Sequence, residues 1–293
     1  MKALLFILSF FVCSYTFAQD IPARWDELTA TDWQAALNKS QGVCILPIGI
    51  LEKHGPHSPI GTDLIHVREW AARATKQEYA VVFPDYFYGQ INEARHQPGT
   101  FALPSRVIYD LLESTCDEIA RNGFKKIIIL NGHGGNPEFL HFFMQSFLNK
   151  RHNYAIYLYS PTNNDADYVA QYQKMHKSDQ KTDQHAGESE TSTLLYYRPD
   201  LMKMDRAESQ SGANQGRLNN IPGLYTPIWW YAAYPNHYAG EGTKATSEFG
   251  KFITDHEIAS FIKALQEVKA DANTLKLQNE FYDRVDNLQN SKQ

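Results

Sequence analysis

Apolar positions along the chain fall into two patterns. Residues 42–51 (GVCILPIGIL) are almost continuously apolar, as in a strand buried on both faces. Residues 105–122 instead place Val107, Ile108, Leu111, Leu112, Thr115 and Ile119 at helical spacing, with Gly123 as a C-terminal stop. Shorter apolar runs at 79–84, 126–130 and 154–159 predict three more strands. Helical patterns at 33–38, 63–77 and 136–150 alternate with them, the last with Pro137 in its first turn. Strands alternating with helices predict an α/β fold with a mainly parallel central sheet and helices on both faces. Further helices are expected at 165–175, at 188–197 and from residue 246 onward. Between them, residues 200–243 are irregular and rich in Gly, Asn, Pro and aromatics. Irregular stretches of that length inside a compact domain are usually functional or interface elements. No linker divides residues 19–293, so a single domain is expected.

The N-terminus changes the expected location. Met1-Lys2, an apolar run over 3–12 and Thr16-Phe17-Ala18 form the pattern of an export signal cleaved after Ala18. The apolar run is too short to span a bilayer, and no other segment is long enough. The expectation is a periplasmic or secreted chain starting near Gln19. A hydrophobic content of 43% allows a full core, and a net charge of −5 without charged blocks excludes a general nucleic-acid binder. Cys44 and Cys116 lack metal-site spacing. They are expected as buried free thiols, with one disulfide as the alternative.

Three polar constellations interrupt this pattern. Glu52-Lys53-His54-Gly55-Pro56-His57, followed by Thr62-Asp63, leaves the C-terminal end of the first strand, the edge where open α/β sheets build sites. Glu52 and His54, two residues apart, share one face of an extended segment. Imidazole mixed with carboxylate suits Zn, Mn or Fe. Asn131-Gly132-His133-Gly134-Gly135-Asn136 leaves the end of the third strand, so His133 is expected beside Glu52 and His54. A phosphate cradle is the competing use of such glycines, but the P-loop lysine and the GxGxxG spacing are both absent. His185-Ala186-Gly187-Glu188-Ser189-Glu190-Thr191-Ser192 offers three ligands or proton-transfer groups, while its acids also suit a helix N-terminus. Ser192 lacks a nucleophile elbow.

LPIGILEKHGPHSPIGTD at 46–63, PGT at 98–100, NGHGGN at 131–136 and HAGESETS at 185–192 together resemble the creatininase (creatinine amidohydrolase) family. The resemblance implies a layered α/β fold, a dinuclear metal centre and a homo-oligomer, with hexamers among the family's assemblies. It assigns Glu52 and His133 to one metal and His54 to the other, with Asp63 bridging. Creatininase itself continues NGH with Tyr and a metal-binding Glu, where this chain has Gly134 and Gly135. Glu188, an acid absent from creatininase, is therefore expected as the replacement ligand, with Glu190 as the competitor. The tryptophan and acids that enclose creatinine are replaced by Lys181-Thr182-Asp183-Gln184, which implies a HAGExETS-type member rather than a true creatininase.

The expected chemistry is metal-dependent hydrolysis of an amide, lactam or formamide C–N bond in a small molecule or short peptide. Two divalent ions, Zn or Mn with Fe also compatible, would acidify a bridging water. His185 and Glu190 are the candidate catalytic proton donors, and His57, His96 and Asn136 are candidates for orienting substrate or ligands. The alternatives are a non-catalytic extracytoplasmic binding protein and a single-metal peptidase.

Overall fold

The computed structural model describes residues 20–160, 165–179 and 181–290. The expected export signal at 1–18 lies outside the described residues. Four strands form one sheet: β1 (Val43–Ile48), β2 (Val81–Val82), β3 (Lys126–Asn131) and β4 (Ala155–Tyr159), in the order β2-β1-β3-β4. Every pairing is parallel, and β1 matches β3 from Val43↔Lys126 to Ile48↔Asn131. The helices are α1 (Trp33–Lys39), α2 (Thr62–Thr75), α3 (Ser105–Arg121), α4 (Pro137–Ser146), α5 (Ala166–Met175), α6 (Glu188–Tyr197), α7 (Trp229–Ala233), α8 (Ser247–Ala270) and α9 (Thr274–Asp286). No helix among the described residues is long and apolar enough to cross a membrane.

Alternation along the strands explains the two cores. Cys44, Leu46, Ile48, Ile127 and Ile129 face one side and pack on Leu112, Cys116 and Ile119 of α3 and on Leu140 and Phe143 of α4. Val43, Ile45, Ile128 and Leu130 face the other side, against Val67, Trp70 and Ala71 of α2 and Ile258, Phe261 and Leu265 of α8. Burying each such side chain stabilises by about 1.5–3 kcal/mol, which is why the central strands read as continuous apolar runs. Cys44 and Cys116 lie in the first core as free, buried thiols.

Two strands are shorter than their apolar runs. The 42–51 run ends as strand at Ile48, where the ladder with β3 stops at Ile48↔Asn131 and Gly49 N pairs instead with Tyr86 O, at 3.0 Å. The 79–84 run retains only two strand residues: β2 lies at the sheet edge, and Pro84 has no N–H to extend the ladder.

Candidate metal centre

Because β1 and β3 are adjacent and parallel, the loops after both leave the same sheet edge. The Glu52–His57 loop therefore meets the Gly132–Asn136 loop, as expected from topology. Asp63 arrives by a third route, on the first turn of α2. A Cβ on Gly49 would stand 2.4 Å from Leu64 Cα, and one on Gly132 would stand 2.7 Å from Val67 Cβ. Two glycines at neighbouring strand ends thus let α2 press onto the edge and carry Asp63 to His133.

Glu52, His54, Asp63 and His133 are all buried. His133 Nδ1 lies 2.9 Å from Glu52 Oε1 and 2.9 Å from Asp63 Oδ2. The other Asp63 oxygen, Oδ1, lies 3.0 Å from His54 Nε2. Glu190 Oε1 approaches the same His54 nitrogen at 3.4 Å. Asp63 thus separates two half-sites, one of Glu52, Asp63 and His133 and the other built on His54 and Glu190, with His185 converging on that pair.

Hydrogen bonds on the far side of each ring fix which nitrogen faces inward. His133 Nε2 is 3.1 Å from Gln90 O, and His54 Nδ1 is 3.2 Å from Glu52 O. A carbonyl only accepts, so these outer nitrogens carry the protons, leaving His133 Nδ1 and His54 Nε2 with lone pairs aimed at two carboxylate oxygens each. Lone pair against carboxylate is repulsive unless a cation intervenes. Glu52 Oε1 and Asp63 Oδ2 are also buried with no hydrogen-bond donor aimed at them. Imidazoles anchored to backbone carbonyls and facing bare carboxylates are what a divalent ion needs, so the residues present fit a metal pair.

Without an ion, a proton must do the same work. Burial opposes charge on both rings, yet Glu190 and Asp63 hold the His54 imidazolium well above its usual range, and Glu52 and Asp63 do so for His133. Against the same cost of burial, His133 and His185 hold the Glu52 carboxyl well below the usual carboxylate range.

Glu188, expected as the fifth ligand, faces away from this cluster. Its carboxylate accepts from Lys177 N at 2.8 Å and Ser178 N at 2.6 Å, closing the turn after α5. Glu190 takes the position facing His54. Two residues on a helix are separated by about 200°, so with Glu188 committed to those amides, Glu190 must face the opposite side. Ala186, at φ 53°, makes the left-handed turn that leads into α6. Asp183 reinforces the arrangement, 2.7 Å from His176 Nε2 and bonded to the Ser189 hydroxyl.

Gly135, where the resemblance led to the expectation of a missing carboxylate ligand, leaves no space for a side chain. A Cβ there would stand 2.5 Å from His133 Nε2 and 2.9 Å from Glu93 Oε1.

His185 Nε2 is 2.8 Å from Lys53 O, so the proton is on Nε2 and Nδ1 is free, 3.9 Å from Glu190 Oε2. Asn136 braces the site indirectly: its Oδ1 accepts from Gln90 N at 2.9 Å, fixing the residue whose carbonyl orients His133. His96 lies at the rim, its ring 4.8 Å from Tyr231 and its Nε2 3.0 Å from Pro235 O.

His57 ties the Glu52 loop to α6 through Thr191 Oγ1 at 2.9 Å. Burial and the nearby His54 push its pKa down to about 4. The native ring is therefore neutral in the pH range where the unfolded chain, with its His pKa near 6.5, binds a proton. Stability from this group is complete above pH ~6.5 and falls as pH drops towards about 4, by at most about 3 kcal/mol. His57→Gln keeps a donor for Thr191 and should flatten that part of the pH–stability curve. Equal slopes for both proteins in urea titrations from pH 7 to 4 would refute the assignment.

One side chain at the cluster was not legible in the sequence. His237 is buried, bonded through Nε2 to Glu52 Oε2, and its ring lies 4.5 Å from that of His185. It sits within the irregular 200–243 stretch, whose length was the only signal, and no spacing singled it out.

Relatives share both the sequence pattern and the fold. The chain is 24% identical to the creatinine amidohydrolase of Pseudomonas putida over 82% of its own length and 95% of the relative. It is 28% identical to the 3-dehydro-scyllo-inosose hydrolase of Thermotoga maritima, over 73% of each chain. It is 30% identical to the mycofactocin precursor peptide peptidase of Mycolicibacterium smegmatis, over 60% of this chain and 66% of the relative. A crystal structure of creatininase superposes with a TM-score of 0.73 at 21% identity, covering 85% of this chain and 99% of that one. Zn-Zn and manganese forms of creatininase superpose at 0.72 and 0.71, each 22% identical over 85% of this chain and 99% of theirs. The family model for creatininase, creatinine amidohydrolase, matches residues 26–265, most of the chain and all three polar constellations. The chain belongs to the creatininase family.

Proposed function

We propose that this chain is a hydrolase that uses two divalent metal ions, zinc or manganese, to cleave an amide-type C–N bond in a small molecule or short peptide. The observation that carries this reading is Asp63, whose two buried oxygens face two different imidazoles, each with its lone pair turned inward. A single-metal site would leave one of those imidazole–carboxylate contacts without a cation, and a non-catalytic binding protein has no need of either. The relatives' names support hydrolysis as the common activity.

Glu52, Asp63 and His133 would hold one ion, and His54, Asp63 and Glu190 the other. Ions so held supply Lewis-acid polarisation of a carbonyl and acidification of water near neutral pH. His185 Nδ1, free and facing Glu190, is placed to take the proton of the attacking water and return it to the leaving nitrogen. The Trp230 ring meets His185 edge-on at 6.0 Å, and Tyr231 packs on His96, giving the approach an aromatic wall that suits a compact, flat substrate.

Screening lactams, cyclic ureas, formamides and short peptides with zinc- or manganese-loaded protein tests the reading. Full metal loading with no hydrolysis of any class would overturn it. Creatinine is expected to be cleaved at least ~100-fold less efficiently than the best substrate, equivalent to about 2.7 kcal/mol of lost transition-state binding. The 181–184 segment turns from the cluster: Asp183 binds His176, and Gln184 N pairs with Ala239 O. Efficient creatinine turnover would contradict this.

We also propose export with cleavage after Ala18, and assembly into a homo-oligomer. Support for assembly comes from Leu224 and Tyr225, exposed at 72% and 83% beside Ile228 and Trp229. Mass spectrometry of the N-terminus from the native host should find Gln19 first, and an intact Met1 would rule export out. Light scattering that finds only monomer would rule out assembly.

A further inference from the structure

His237 belongs to neither half-site, yet it makes the hydrogen bond that divides the work of the Glu52 carboxylate. The Trp230 indole Nε1 donates to His237 Nδ1 at 2.8 Å. An indole N–H only donates, so Nδ1 is the bare nitrogen and the ring proton is on Nε2. Nε2 is hydrogen-bonded to Glu52 Oε2, and it is necessarily the donor. The tautomer has two consequences. First, although Glu52, His185 and His237 bring ligand atoms together, His237 offers no lone pair there, and the group is not a third cation site. Second, Glu52 Oε2 is occupied by a directed donor, while Oε1 is left bare, 2.9 Å from His133 Nδ1.

The backbone is arranged to aim the ring. His237 has φ 51°, a left-handed conformation that histidine adopts more readily than most residues, and its N–H donates to Tyr234 O at 2.9 Å. Tyr234 N in turn bonds Trp230 O at 2.7 Å. The turn after α7 therefore folds the imidazole back against the indole that orients it and onto the Glu52 carboxylate.

We propose that His237, its tautomer fixed by Trp230, is a positioning residue that holds Glu52 with Oε1 facing the first half-site and thereby sets that half-site's metal affinity. This rests on the two-metal reading above. Without the donor, the Glu52 carboxylate can rotate about its terminal bond, and its anchoring oxygen is left buried against His185, whose Nε2 proton is already committed to Lys53 O.

The test is a competition titration against a chromogenic chelator, with zinc as the probe, on the mature full-length chain. Wild type should bind two ions. His237→Leu should bind one ion with wild-type affinity and the other about 10–100-fold more weakly, the usual effect of losing such a partner of a ligand. His237→Gln, whose amide N–H reaches the same oxygen, should recover affinity to within several-fold. Trp230→Phe keeps the ring and loses the N–H, and should weaken the same ion by a smaller factor. A Glu190→Gln background leaves only the first half-site and identifies which ion has changed.

A merely structural role would lower the melting temperature of the metal-free variants and leave both affinities unchanged. That result would overturn the proposal, as would His237→Gln binding zinc as weakly as a folded His237→Leu. If His237→Leu fails to fold, the Gln and Phe variants decide by the same criterion. Wild type that takes up no zinc would defeat the two-metal reading itself, whereas two ions in wild type and unchanged affinities in the variants would defeat only the role of His237.

Discussion

Glu190→Gln is expected to reduce bound metal from two ions per chain towards one, whereas Glu188→Gln keeps both. The two acids differ by two positions on α6 and by everything in their surroundings. Glu190 Oε1 faces His54 Nε2 at 3.4 Å. Against the cost of its burial, His54 and His185 hold its carboxyl below the usual carboxylate range, as fits an anion among groups that need a countercharge. A neutral amide there is a poor ligand, and loss of one ion from a two-ion clamp removes several kcal/mol of transition-state stabilisation. At about 4 kcal/mol, kcat/KM falls on the order of 10³-fold. Glu188 is engaged instead by Lys177 N and Ser178 N. Its replacement by Gln weakens charge-assisted hydrogen bonds and costs stability of about 1–2 kcal/mol. Elemental analysis of both variants decides the matter: one ion in Glu188→Gln together with two in Glu190→Gln would reverse the assignment.

Asp63→Asn should be the most damaging single change, because its two oxygens lie closest to the two imidazoles taken together, 3.0 Å from His54 Nε2 and 2.9 Å from His133 Nδ1. Asparagine presents oxygen to one imidazole and an N–H to the other, so neither ion keeps its anionic bridge. The expected result is loss of both ions at micromolar metal and activity at background. The fold should survive, since α2 is held by Val67, Trp70 and Ala71 in the core rather than by Asp63. Thermal unfolding with and without metal separates the two effects. In wild type, metal at 1,000 times its dissociation constant adds about 4 kcal/mol, a gain that should vanish in Asp63→Asn while the metal-free proteins melt within a few degrees of each other. A metal-dependent rise of equal size in both would show that Asp63 holds no ion.

The metal-free protein has to tolerate three carboxylates, Glu52, Asp63 and Glu190, around His54 and His133, with protons on those two rings offsetting the repulsion. Metal binding must displace those protons, so affinity should fall as the medium is acidified. That is the usual cost of a preformed site, and it explains why so many bonds around the cluster do nothing but hold direction: Gln90 O on His133, Glu52 O on His54, Lys53 O on His185 and His237 on Glu52.

Much of this was already written in the chain. Continuous apolar runs alternating with helical periodicity specify a parallel sheet, because a strand buried on both faces cannot alternate polar with apolar. The parallel order then places the loops after β1 and β3 at one edge, so Glu52, His54 and His133 had to meet whatever the details. Asp63 was legible from its place in the same motif. Tertiary structure decided what rotation and distance control. The phase of α6 was fixed by amides at Lys177 and Ser178, eleven and ten residues before Glu188, and sequence spacing carries no information about that capture. His237 reaches Glu52 across 185 residues from an irregular stretch without periodicity, where neither hydrophobic pattern nor motif constrains direction. Local pattern determines which face a residue occupies within its own element. Only packing between elements determines which carboxylate oxygen is held by a donor and which is left bare to face a cation.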